Sequence, residues 1–172
     1  MRSLGALYRE LGRYDEADAM LTKAARIFDD RTSQQAAALR SLGDTYRYQG
    51  HLIAAIDTFA AALAVFEADA DARSVAGVLN GMADAYRGLS RWEEARSAFE
   101  TCIGIYHDLD DRLEEARAKI RYALVFRDQR VSEQALNLVT EGLQVVKELS
   151  DRRWEARAAR QLATPPAVIA PG

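Results

Sequence analysis

The side chains that could support acid–base or metal chemistry are few, and none stands in a catalytic pattern. His51 and His107 fall in a predicted turn and at a predicted helix end, without a nucleophile or carboxylate spaced to orient them. Cys102 precedes His107 by five residues, so the two lie about 140° apart around a helix and cannot share a metal ion. No Gly-Lys-Ser/Thr triplet of a phosphate-binding loop occurs. We therefore expect a protein that is not an enzyme and holds no cofactor, with Cys102 buried and both histidines on the surface.

Arginines form the chemical pattern that does recur along the chain. Four of them each directly follow an aromatic residue, at nearly even spacing: Arg9, Arg47, Arg87 and Arg127. A guanidinium can hold a carboxylate through two parallel hydrogen bonds, so this row could bind an acidic ligand. Asp44 and Asp84 lie three residues before Arg47 and Arg87, so these arginines could instead form ion pairs within their own helices. Both interpretations stay open at this point.

The arginine row belongs to an internal repeat. Leu-Gly-x-x-Tyr and its variants occur at 4–8, 42–46, 82–86 and 122–126. Nine residues after each aromatic residue stands an alanine: Ala17, Ala55, Ala95 and Ala135. A larger apolar residue follows four positions later, and a small residue follows seven positions later: Leu21, Phe59, Phe99 and Val139, then Ala24, Ala62, Cys102 and Gly142. This spacing puts small and large apolar side chains on one helix face, which lets two helices approach closely.

The repeat predicts an all-α fold built from antiparallel helix pairs. All three prolines lie after residue 164, so nothing earlier forbids a continuous helix. About nine helices are predicted, at 1–11, 14–29, 33–49, 52–68, 72–88, 92–108, 112–129, 132–148 and 151–163. Short turns such as Gly50-His51 join the helices of a pair, and connectors rich in aspartate and arginine join the pairs, where the aspartates can cap the next helix.

These helices predict a single array over residues 1–163. Its units span roughly 1–31, 32–71, 72–111 and 112–150, with a capping helix at 151–163 and a flexible, proline-containing tail at 164–172. With 49% hydrophobic and 28% charged residues, the 172-residue chain can form a packed core. Its net charge of −3 argues against direct nucleic-acid binding. A single cysteine and the absence of a long apolar stretch favour a cytoplasmic protein without membrane contact.

The pattern of Leu-Gly-x-x-Tyr, Ala, Phe/Leu and Ala resembles the tetratricopeptide repeat over nearly the whole chain. Its long period, from Tyr46 to Tyr86 to Phe126, and its Asp-Arg connectors are similar to a longer-helix subclass, found in the C-terminal sensor arrays of bacterial transcription regulators and signalling ATPases. The resemblance implies a right-handed α-solenoid that binds a protein or peptide, as the sensing or scaffolding portion of a bacterial regulator. The alternatives are self-association through an N-terminal edge at Leu4, Leu7 and Leu11, or an accessory substrate-binding domain of an enzyme complex.

The same resemblance implies that the first helix of each unit lines a concave surface. These first helices together carry a net charge of +7, and the rest of the chain carries −10. We therefore predict that an acidic, partly apolar segment of a partner protein binds there, with Ile120 and Leu124 as its apolar contacts. The predicted binding residues are Arg40, Arg47, Asn80, Asp84, Arg87, Arg117, Ile120, Arg121, Leu124 and Arg127.

Overall fold

Six helices of 17 residues each are joined by connectors of two or three residues. This computed structural model describes residues 32–149, together with 15–16, 18–19, 22–23 and 159–160. The helices are α1 (Ser33–Gln49), α2 (Leu52–Ala68), α3 (Ala72–Gly88), α4 (Trp92–Asp108), α5 (Arg112–Asp128) and α6 (Ser132–Glu148). The described residues contain no strand, so the all-α prediction is confirmed.

The described residues hold six complete helices and not the predicted nine. The predicted helix 1–11 and the tail 164–172 lie outside them, as do Leu4, Leu7 and Leu11. The predicted helices 14–29 and 151–163 are described only at isolated positions, and those positions are helical. The chain divides into two compact units, an N-terminal unit of residues 1–98 and a C-terminal unit of residues 99–172. No described helix is both long enough and apolar enough to cross a membrane.

The connectors share one backbone geometry that recurs at five successive helix ends. A residue in the left-handed region ends each of the first five helices: Gly50, Ala70, Ser90, Asp110 and Arg130, with φ between 52° and 83°. The amide of the next residue donates to a carbonyl five residues earlier, at 2.8–2.9 Å. That carbonyl always belongs to an aromatic residue: Tyr46, Phe66, Tyr86, Tyr106 or Phe126. This Schellman arrangement satisfies carbonyls at the helix end and turns the chain sharply into the next helix.

The first helix of each pair begins with a side-chain cap. The side chains of Thr32, Asp71 and Asp111 accept hydrogen bonds from backbone amides in the first turns of α1, α3 and α5. The residues that precede α2 and α6, His51 and Val131, make no side-chain cap. The predicted capping by aspartates of the inter-pair connectors is therefore confirmed at Asp71 and Asp111.

Phe59 is the central side chain of the N-terminal unit. It is fully buried on α2, in a core that includes Ala55, Ala62 and Val78. A Cβ added at Gly43 of α1 or at Gly81 of α3 would lie 2.7 Å from a carbon of its ring. The two glycines therefore let α1 and α3 approach the ring closely. Gly81 therefore serves helix packing in the N-terminal unit.

In the C-terminal unit, α5 and α6 pack through an isoleucine set against a glycine. Ile120 is fully buried with Ala116 and Val146, and its Cγ1 lies 2.6 Å from the position of a Cβ on Gly142. Cys102 is also fully buried and donates its thiol to the carbonyl of Phe99 at 3.3 Å. The prediction of a buried cysteine is therefore confirmed, and Gly142 acts as the small residue of its repeat.

Candidate functional site

The histidines and the cysteine do not come together in the structure. His51 is exposed at the start of α2. His107 is 75% exposed, with its Nδ1 3.4 Å from the Glu115 Oε2. Within residues 32–149 and the shorter described stretches, no three His, Cys, Asp or Glu side chains are placed to hold a metal ion. Both histidines lie on the surface, as predicted.

Arg47 is bound to two carboxylates of the N-terminal unit. Its Nη1 donates to Asp84 Oδ2 on α3 at 3.2 Å, and its Nη2 donates to Asp44 Oδ1 on α1 at 3.1 Å. Its guanidinium also lies 4.4 Å from the centre of the Tyr48 ring. Burial by itself lowers the pKa of Arg47, but the nearby carboxylates of Asp84 and Asp44 outweigh it and raise the pKa above its ordinary value. Arg47 is therefore a charged residue that serves the fold.

Asp84 joins two members of the predicted arginine row. Its side chain is only 10% exposed, and its second oxygen lies 3.9 Å from the Nε of Arg87 on the same helix. The carboxylate thus lies between Arg47 of α1 and Arg87 of α3. Removing Arg47 would leave the buried Asp84 carboxylate with its longer, 3.9 Å contact to Arg87, which is destabilising. Arg47 is therefore paired with aspartate, and its pair with Asp84 links two helices, whereas Arg87 lies only within 3.9 Å of that carboxylate.

Arg40 crosses from α1 to α3. Its guanidinium lies against Gly77, where an added Cβ would come within 2.8 Å of the guanidinium carbon. Gly77 therefore provides the room that this side chain occupies. Arg40 stays partly exposed, whereas Asn80 is only 5% exposed. Of these two predicted binding residues, Arg40 alone offers an accessible polar group to a partner.

The predicted residues of α5 separate into partly exposed arginines and buried apolar side chains. Arg117 pairs with Glu114, Arg127 donates to Asp128 at 2.7 Å, and Arg121 is partly exposed. Ile120 and Leu124, in contrast, are 0% and 3% exposed. The prediction that these two side chains contact a partner segment is wrong, because Ile120 fills the packing space beside Gly142 and Leu124 is likewise buried.

Two clefts that the sequence analysis missed occupy equivalent positions of the repeat. The α1–α2 cleft, of about 460 Å³, is lined by Gln35, Leu39, Ala61, Ala64, Val65, Ala68 and Asp69. The α5–α6 cleft, of about 470 Å³, lies beside the end of α4, and six of its residues stand two repeats after residues of the first cleft: Glu115, Lys119, Glu141, Gln144, Val145 and Glu148. Comparing positions two repeats apart would have shown that an apolar set of side chains in one unit is replaced by a charged set in the other.

A family model supplies the decisive comparison. The tetratricopeptide repeat model matches residues 1–68 and 74–148. The chain belongs to the tetratricopeptide repeat family. Tetratricopeptide repeat proteins bind protein partners, so the chain is a protein-interaction scaffold. No curated protein matches it.

Several solved structures have a fold similar to that of this chain. A kinesin light chain-like protein from Podospora anserina with nearly identical TPR-like repeats is 14% identical, with a TM-score of 0.69 over 93% of this chain and 90% of that one. BtubC (BKLC) from P. vanneervenii is 18% identical, with a TM-score of 0.73 over 98% of this chain and 66% of its own. MamA is 21% identical, with a TM-score of 0.63 over 87% of this chain and 78% of its own. At these identities the likeness concerns the fold.

Proposed function

We propose that this tetratricopeptide repeat chain is a non-catalytic scaffold that binds acidic segments of a partner protein, on α1 and α3 of the N-terminal unit and on α5 of the C-terminal unit. The observation that carries the proposal is a division of charge between the two helices of each pair. The helices α1, α3 and α5 carry net charges of +1, +1 and +2, whereas α2, α4 and α6 carry −2, −3 and −2. Complementary charge attracts a partner over distance and selects its orientation.

The contacts of individual arginines refine where an acidic segment would bind. Arg47 is committed to Asp84 and Asp44, so we assign it to the fold. Arg40 and Arg87 remain partly exposed in the N-terminal unit, and Tyr48, whose ring lies beside the Arg47 guanidinium, is 43% exposed. In the C-terminal unit, Arg117, Arg121 and Arg127 are partly exposed. We propose that these guanidinium groups contact carboxylates of the partner and that Tyr48 supplies an apolar contact.

The biological setting of the scaffold is part of the proposal. The long period of the repeat supports a role as the sensing portion of a bacterial regulator, and the single cysteine supports a cytoplasmic location. Self-association and an accessory role in an enzyme complex remain the alternative functions.

The test uses partners captured from the native host by the full chain and quantified by mass spectrometry. The variant Arg40→Gln/Arg121→Gln removes one cation from each unit while keeping most of each side chain. The control is Arg91→Gln/Arg130→Gln, which makes the same change in net charge at two exposed connector residues. We expect acidic partners to be depleted roughly tenfold by the first variant and retained by the control, because each lost charge contact weakens binding modestly.

Salt and fold measurements complete this test. Binding through these arginines should weaken as salt is raised, since exposed charges are screened. Circular dichroism should show that both variants keep their helices. Equal depletion by the two variants, or full retention by Arg40→Gln/Arg121→Gln, would remove the faces of α1, α3 and α5 as the binding site. A chain that captures only its own copies would favour self-association instead.

A further inference from the structure

The α5–α6 cleft is a built feature of the C-terminal unit with the dimensions of a binding site. Its volume of about 470 Å³ falls within the range of ligand pockets, which is roughly 300–1,000 Å³. Ala116, only 2% exposed, and the partly buried Val145 give it apolar lining, and charged side chains of α5 and α6 surround them. All its lining residues belong to the C-terminal unit.

We propose that the α5–α6 cleft is a second docking site, which binds a lysine- or arginine-bearing segment of a partner protein. Carboxylates outnumber cations among its lining residues: Asp110, Glu115, Glu141 and Glu148 face Arg112 and Lys119. The cleft therefore has a net charge of −2 when its histidine, His107, is neutral. Opposite charge makes a basic segment the favoured occupant.

The two cations of the cleft are already bound to its carboxylates. Lys119 Nζ lies 3.1 Å from both Glu115 Oε1 and Glu141 Oε2, and Arg112 donates to Glu148 Oε2 at 3.0 Å. Burial lowers the pKa of Lys119, but its hydrogen bonds to Glu115 and Glu141 outweigh that and raise it. Glu141 and Glu148 keep 60% and 47% of their side chains exposed. These two carboxylates can therefore accept hydrogen bonds from an incoming ammonium or guanidinium.

The α1–α2 cleft shows that the helix pair does not need these charges. At the positions of Lys119, Glu141 and Glu148 it has Leu39, Ala61 and Ala68, and the cavity keeps nearly the same volume. The charged side chains thus change what the cleft can bind, while the volume of the cleft remains nearly the same. A lysine or arginine stem would contact Ala116 and Val145, and its charged head would reach Glu141 or Glu148.

The cleft lies on the side of α5 opposite to Arg117 and Arg121. Glu115 precedes Arg117 by two residues, and Lys119 precedes Arg121 by two, which is about 200° around a helix. A basic segment in the cleft would therefore not compete with an acidic segment bound at Arg117 and Arg121. The second docking site can be tested independently of the first.

The test measures fluorescence anisotropy of two short labelled peptides with the full chain at low salt. One peptide alternates lysine and arginine with alanine and leucine, and the other has glutamate at every cationic position. The variant Glu141→Ala/Glu148→Ala gives the cleft the alanines that the α1–α2 cleft already has, so the fold should survive. The control Glu67→Ala/Glu133→Ala changes net charge equally at exposed glutamates outside the cleft.

We expect the basic peptide to bind the wild-type chain, the cleft variant to weaken this binding about tenfold, and the control to change it less than about twofold. A photo-reactive group on the basic peptide should label residues of α5 and α6. Equal weakening by both variants would show attraction to net charge alone and would overturn the proposal. So would preferential binding of the glutamate peptide, labelling elsewhere in the chain, or no binding of the basic peptide.

Discussion

At the scale of single residues, the Phe59 ring limits which glycines of the N-terminal unit can be replaced by alanine without loss of stability. A Cβ at Gly81 would lie 2.7 Å from the ring, and the ring is fully buried, so it has little freedom to move. We expect Gly81→Ala to lower the free energy of unfolding by roughly 1–3 kcal/mol, because overpacking exceeds the gain of about 1 kcal/mol in helix propensity. Urea denaturation followed by circular dichroism measures this difference.

Gly104→Ala is the matched control in a neighbouring helix. Gly104 is exposed on α4, and an added Cβ would meet no atom within 4 Å. The same substitution should therefore raise the free energy of unfolding by about 0.5–1 kcal/mol, through helix propensity alone. If both alanines stabilise the chain equally, the assigned contact between α3 and the Phe59 ring is wrong.

At the scale of the elements, the capping carboxylate of α3 predicts a pH dependence. Hydrogen bonds from Ser74 lower the pKa of Asp71 below its ordinary value of 3.8, with a smaller contribution from the charge of Arg40. The stabilisation is therefore present above the unfolded pKa and disappears as the pH falls through the lower folded value. We expect Asp71→Ala to destabilise the chain by about 1 kcal/mol at neutral pH, and the difference from wild type to shrink below pH 3.8.

The control for the capping carboxylate is Asp71→Asn, which keeps an acceptor at the cap but does not titrate. Its stability should stay close to that of the wild type at neutral pH, and it should not show the acid-dependent loss assigned to Asp71. Guanidinium unfolding at a series of pH values tests both variants. A difference between wild type and Asp71→Ala that stays constant into strong acid would contradict the assignment.

The connectors make a second prediction about the elements. Ser90 has φ of 59°. This conformation lowers the free energy of unfolding by roughly 1 kcal/mol for a residue with a side chain, whereas glycine adopts it without strain. Ser90→Gly should therefore raise the melting temperature by several degrees. Gly50 has φ of 83° and open space around it. Gly50→Ala should therefore lower the melting temperature, solely because a residue with a side chain is strained in the left-handed region. Calorimetry measures both changes, and a melting temperature lowered by Ser90→Gly would refute this account of the connectors.

At the scale of the whole molecule, the repeat architecture predicts that damage stays local. Each helix pair contributes its own stability and that of its contacts with adjacent pairs. Gly81→Ala should therefore speed amide hydrogen exchange most in 33–88 and least in 112–148. Peptide-resolved mass spectrometry of the full chain checks this expectation. A uniform increase across both units would show that the chain unfolds as one cooperative body.

Helix positions could be predicted from the sequence because the determining interactions are short in range. Five of the six described helices begin and end at the predicted residues, and α5 ends one residue before the predicted 129. Their caps, apolar spacing and connectors lie within a few residues of one another. The aromatic residues before the connectors, such as Tyr46 and Phe66, are evenly spaced and also indicate the positions of the turns.

The accessibility of the site residues depended on tertiary structure. Arg40, Asn80 and Ile120 occupy equivalent repeat positions, yet Arg40 is partly exposed while the other two are buried. The partners of Arg47 include Asp84, 37 residues away on another helix, and the clefts exist only where two helices meet beside small or charged side chains. The repeat thus determined which residues share a helix face. Exposure and charge pairing depended instead on the side chains that neighbouring helices bring within a few ångströms. The spacing of residues within one helix does not specify these contacts between helices.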